Sequence, residues 1–239
     1  MADPNQPLEV EPTTVGGPLT FLHLPGEIRN AIYDIILLQP EPILPWFPGP
    51  VSGLASFNLQ SDPTGLFRVN KTVHREATLV FYGQNRFHSE FYEDELASFF
   101  QLIGTRNASS IRHIIIHFPD FSPLPPSLRP GIVTIGVESA RILGHILSSC
   151  ASLSTLETNL ESTKTVLHDL ENLDNQDVAV EALNLVDNHF RALPSLPEIV
   201  LQVHEDEPSD FLRRTIESYG WTLSKQPNPE KKCGCGCET

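Results

Sequence analysis

Positive charge is scarce in this chain of 239 residues: 16 lysines and arginines stand against 30 aspartates and glutamates, a formal net charge of −14 at pH 7. A surface of that sign repels phosphate backbones, so nucleic acid is not expected as a partner, and anionic membrane surfaces are disfavoured for the same reason. Long apolar runs are missing too. No stretch approaches the roughly 20 residues of a membrane-spanning helix, and no apolar segment follows Met1 as a secretory signal would require. A cytoplasmic or nuclear location is therefore expected. Cysteine is sparse and unevenly spread. Cys233, Cys235 and Cys237 crowd the last seven residues, while Cys150 lies in an apolar helical pattern and reads as a buried hydrophobe. Local catalytic signatures are absent as well: there is no GxSxG elbow, no GxGxxG, no P-loop and no HExxH. The expectation is a protein that is not an enzyme.

What is present is a substantial apolar fraction, 40%, enough for a core. Residues 1–19 carry Pro4, Pro7, Pro12 and Pro18 with few large apolar side chains, and read as a disordered leader. A first helix is expected over 21–38. Pro25 suits its first turn, Glu27 complements its positive end, and Pro40 stops it. Ile28, Ile32, Ile35 and Ile36 recur at helical spacing and give it a strongly apolar face, with Arg29 and Tyr33 off that stripe, at the rim of any contact it makes. Residues 40–65 are proline-rich and read as an insertion loop. A second helix is expected over 66–82, stopped by Gly83, then a short extended segment around Phe87, then a third helix opening at Glu93 and closed by Gly104. Beyond it strands alternate with helices. Strands are expected at 111–118, 153–160, 198–204 and 221–224, and helices at 134–149, 162–173, 176–193 and 209–219. That order implies parallel pairing through crossovers. The expected fold is α+β or α/β: N-terminal helices, then an irregular strand–helix repeat of leucine-rich-repeat-like character or an ordinary α/β layer, with a short parallel sheet. The domain reading is 1–19 leader, 20–105 helical region, 106–226 α/β recognition region and 227–239 cysteine-rich tail.

Two segments resemble a known family. Leu22-His23-Leu24-Pro25-Gly26-Glu27-Ile28-Arg29-Asn30-Ala31-Ile32-Tyr33 is similar to the LPxEIRNxIY opening of a large group of filamentous-fungal F-box-like proteins. Leu66-Phe67-Arg68-Val69-Asn70, running on through Glu76-Ala77 to Phe81-Tyr82-Gly83-Gln84-Asn85-Arg86-Phe87, resembles that group's second block, with Asn70 where the pattern usually has cysteine. Phe99-Phe100-Gln101-Leu102-Ile103-Gly104 followed by Ile111-Arg112-His113-Ile114 is similar to its third. The resemblance covers about half the chain. It implies a helical module that docks on the Skp-type adaptor of cullin ubiquitin ligases, with Leu24, Pro25, Glu27, Ile28, Arg29, Ile32 and Tyr33 as the partner-binding residues and the rest of the chain free to hold an unknown cargo protein.

Strand alternation singles out a second set. His113, Ile115 and His117 share one face of the first strand of the α/β half, Thr155, Glu157 and Asn159 one face of the next, and Glu198, Gln202 and His204 one face of the third. Paired in parallel, these form one continuous face suited to recognition, or to a metal held by His113, His117 and Glu157. The alternating thiols of Cys233, Cys235 and Cys237 suit zinc or copper(I), although three ligands do not close a structural zinc site. Three readings follow: an adaptor-docking interaction protein, a scaffold or effector of the same fold without adaptor binding, and a metal-binding protein acting through the tail.

Overall fold

The computed structural model describes residues 20–46, 56–57, 63–89, 93–123, 127, 129–193, 196, 198–205 and 208–226. The expected leader, much of the proline-rich stretch and the cysteine tail lie outside them.

The first helix is shorter than its pattern. A 3-10 turn, Phe21–His23, precedes α1, Gly26–Leu37. Pro25 is the residue before the helix, not part of its first turn, and its carbonyl accepts from the N–H groups of Ile28 and Arg29. The second helix is likewise divided. A 3-10 turn at Pro63–Arg68 leads into α2, Lys71–Gln84, because Asn70 Oδ1 accepts from the N–H of Thr72 and of Val73 and so opens a new helix. That capping role gives Asn70 a local structural reason. Gly83 stays inside α2, and the stop falls on Asn85, whose side-chain amide donates to the carbonyls of Leu37 and Phe81, both at 3.0 Å, while its Oδ1 accepts from Gln39 N–H at 2.8 Å. One buried amide thus terminates α2 and ties it to the end of α1.

The remaining elements follow in order. Short strands β1, Pro45–Trp46, and β2, Ser56–Phe57, pair antiparallel. Then come β3, Arg86–His88; α3, Glu93–Ile103; α4, Thr105–Ser110; and β4, His113–Ile116. Gly104, at φ 81°, makes the turn between α3 and α4 in a conformation that favours glycine. Strands β5, Phe121–Ser122, and β6, Thr134–Ile135, form an antiparallel pair before α5, Val137–Ser149. The chain continues through β7, Thr155–Thr158; α6, Leu160–Glu171; α7, Gln176–Arg191; β8, Glu198–His204; α8, Asp210–Ser218; and β9, Thr222–Gln226.

The architecture is α+β, with eight α-helices among the described residues and a five-stranded sheet in the order β3-β4-β7-β8-β9, parallel at every pairing. Each strand lies beside its predecessor in this sheet, so the order never reverses. The strands' inward residues, Phe87, Ile114, Ile116, Leu156, Leu201 and Val203, join the helices' buried side chains in one apolar cluster. Their alternates, among them Ile115, Glu157 and Gln202, lie on the other face and outside that cluster. The cluster runs from Tyr33 to Trp221, and β3, from the N-terminal helical stretch, is the edge of the sheet. The two expected regions therefore share one core and one sheet. No helix among the described residues is long and apolar enough to cross a membrane.

Candidate functional site

Helix α1 carries two stripes about a third of a turn apart at 100° per residue. Arg29, Tyr33 and Leu37 face inward: Tyr33 and Leu37 are fully buried, and Phe21 packs edge-on against the Tyr33 ring at 5.6 Å. Arg29 forms a two-pronged contact with Glu76 of α2, Nε to Oε2 at 2.9 Å and Nη2 to Oε1 at 2.7 Å. Its Nη1 also donates to the Leu24 carbonyl at 2.6 Å. The Tyr33 hydroxyl donates to the same Glu76 carboxylate at 3.1 Å. Hydrogen bonding from Arg29, then from Tyr33, holds the Glu76 carboxyl below its ordinary value, and burial together with Glu76 pushes the Tyr33 hydroxyl up to about 12.

The isoleucine stripe faces outward. Ile28 is 49% exposed, Ile35 82% and Ile36 40%. Ile32 and Leu24 are half-buried, and Pro25 and Glu27 are exposed. Tyr33 is thus not on the rim of a contact, and Arg29 is tied inward. An aromatic ring buries more area than isoleucine, and its hydroxyl finds a partner, so tyrosine takes the core position. Ile35 and Ile36 are absent from the residues that the resemblance assigns to partner binding, although periodicity alone puts them on the same stripe as Ile28.

Within β4, β7 and β8 the expected neighbours stand in register, whereas His117 and Asn159, expected on the same face, lie beyond the strand ends. His113 stands beside Thr155 and Thr155 beside Glu198, while Ile115 stands beside Glu157 and Glu157 beside Val200. Glu157, only 5% exposed, is the hub: His113 Nε2 lies 2.6 Å from Oε2, and Gln202 Nε2 donates to Oε1. Burial alone would raise the Glu157 carboxyl. The hydrogen bonds from His113 and Gln202, with the positive charge of Arg86 on β3, outweigh it and hold the group below its ordinary value. Thr155 Oγ1 donates to Glu198 at 3.0 Å, and His204 is buried. The expected metal grouping of His113, His117 and Glu157 does not form. Glu157 is bound directly to His113, His117 lies beyond the end of β4, and no cluster of three metal-capable side chains occurs among the described residues. Cys233, Cys235 and Cys237 lie outside those residues.

Sequence reasoning misses a cavity of about 530 Å³ beyond the carboxyl ends of β3, β4 and β7, between the starts of α5 and α6. Ile116, Ile142, Leu143 and Val166 supply apolar wall, and Asp120, Glu138 and Glu161 bring carboxylates. His117 and Asn159, both predicted for the strand face, line it too. Asp120 is fixed by Ser139, whose hydroxyl donates to Oδ1 at 2.5 Å and accepts from the Asp120 N–H at 3.1 Å. Its carboxylate occupies the space a β-carbon on Gly136 would need. No local pattern announces this cavity, since its walls come from segments far apart in the chain. No family model, curated protein or solved structure matches the chain.

Proposed function

We propose that this chain is a non-enzymatic interaction protein whose α1 docks on a Skp-type adaptor of a cullin ubiquitin ligase, while the strand–helix half holds a cargo protein. The observation that carries the proposal is the exposure of Ile28, Ile35 and Ile36, three large apolar side chains on one helix whose other stripe is anchored by Tyr33, Leu37 and the Arg29–Glu76 pair. A row of apolar anchors at i, i+7 and i+8 is the form in which a helix enters a partner's groove. Burying such a row on a partner gains roughly 25 cal/mol per Å² of apolar surface. The resemblance of residues 22–33 and 66–87 to F-box-like proteins supports the choice of partner. On this reading the mechanism is bridging, the consecutive parallel strands act as a repeat-like platform, and the location is cytoplasmic or nuclear.

Co-purification with a Skp-type adaptor tests it. Wild type is expected to capture the adaptor, and an Ile28→Asp, Ile35→Asp double variant that keeps wild-type helicity is expected to lose it. Equal recovery of adaptor by both proteins, or by neither, would sink the proposal.

A further inference from the structure

The cavity between α5 and α6 belongs to neither the outward stripe of α1 nor the Glu157 network. We infer that it is a binding site for an organic cation with an apolar body, an ammonium or guanidinium head on a hydrocarbon stem. Its volume, about 530 Å³, lies within the range of sites that enclose small ligands, and it sits beyond the carboxyl ends of β3, β4 and β7. Ile142, Leu143 and Val166 give the stem an apolar surface.

The charge of the head follows from magnitudes. Each helix start brings about half a positive charge, so α5 and α6 together favour an anion by about one charge. Asp120, Glu138 and Glu161 oppose that with three formal negative charges, and no lysine or arginine lines the cavity among the described residues. The balance is about two negative charges, which selects a cation. Asn159 already caps α6 by accepting from the Ser162 N–H at 2.9 Å, which further weakens any anion claim there.

A second observation, independent of the carboxylates, marks the same cavity. Ser89 follows β3, is 7% exposed, and its hydroxyl meets no hydrogen-bond partner among the described residues. Strand alternation turns it to the side of Ile116, and both residues line the cavity. A buried hydroxyl without a partner is unfavourable by roughly 1–3 kcal/mol. The polar head of a ligand would relieve it, since an ammonium donates to Oγ.

The test uses the full chain near neutral pH and three matched probes, 4-phenylbutylamine, 4-phenylbutanol and 4-phenylbutyrate, titrated by NMR. The amine is expected to bind at least about ten-fold more tightly than either of the others, charge-assisted hydrogen bonds being the stronger kind. Glu138→Gln with Glu161→Gln should weaken the amine about ten-fold and bring it level with the alcohol. Ser89→Ala should weaken it several-fold, and Thr165→Trp, an exposed position on the cavity wall, should abolish it while helicity is retained. A fourth probe, N-acetyl-phenylalanyl-arginine amide, separates the sources. Tighter binding than the amine assigns the site to a basic side chain of a protein, and weaker binding assigns it to a free amine. Equal binding of the three matched probes, no binding of any, or amine binding untouched by Thr165→Trp would overturn the inference. Adaptor capture through α1 should not respond to Thr165→Trp, so this inference and the docking proposal can fail separately.

Discussion

Two surfaces of this protein face away from its core, and they differ in kind. The outward side of α1 presents Ile28, Ile35 and Ile36, apolar groups that lie outside the core formed by the described residues. The outward face of the parallel sheet presents Glu157, His113 and Gln202, polar groups that satisfy one another. The first leaves large apolar side chains in water. On the second, the hub carboxylate has both oxygens engaged. Exposure alone does not identify a docking surface; the distinction is whether the groups on it still lack what their chemistry favours.

The largest expected effect sharpens the contrast within α1 itself. Leu37→Ala, on the inward stripe, should cost about 2–5 kcal/mol of stability in urea unfolding, whereas Ile35→Ala, on the outward stripe, should stay within about 0.5 kcal/mol. Comparable losses at both positions would break the comparison. Asn85→Ala comes next. It removes a buried amide that serves Leu37, Phe81 and Gln39 and should cost about 1–3 kcal/mol, read by the same unfolding curves.

Several of these features are legible in the sequence, and the reasons are local. Strand alternation marks Glu198–His204 to the residue, and the charged opening with Gly104 as a stop marks Glu93–Ile103. Strand alternation also places His113, Glu157 and Gln202 on one face, because parallel register preserves it, but it fails at His117 and Asn159, which lie past the strand ends. What escapes is whatever depends on distant segments. Periodicity finds the isoleucine stripe of α1 but not which way it faces. That is decided by Glu76, some forty residues on, which accepts from both Arg29 and Tyr33. Arg29, Glu76 and Asn85 are all engaged inside the protein. They specify how α1 and α2 fit together. The cavity beside α5 is illegible for the same reason, as Ser89, Asp120, Glu138 and Glu161 meet only in the fold.

Smaller effects probe the self-satisfied face. Glu157→Ala should cost about 1–3 kcal/mol by leaving its hydrogen-bond partners unpaired. The two carboxyls held below their ordinary value of 4.5, Glu76 and Glu157, make stability depend on pH. A carboxyl whose folded value lies below its unfolded one contributes stability that is present above the unfolded value and lost as pH falls through the folded one. Stability should therefore be flat near neutrality and decline below about pH 4.5. In Glu157→Gln that decline should be shallower, measured by urea midpoints across the acid range. An unchanged slope would mean that the network on the sheet face does not couple to folding.

The central claim rests on the outward stripe of α1, and the most direct measurement is the affinity of the purified chain for a purified Skp-type adaptor by isothermal titration calorimetry. Wild type should bind at about micromolar affinity or tighter, and Ile28→Asp with Ile35→Asp should weaken binding about thirty-fold or more while urea stability holds. A wild-type chain that shows no heat of binding, or a double variant that binds as well as wild type, would contradict the account.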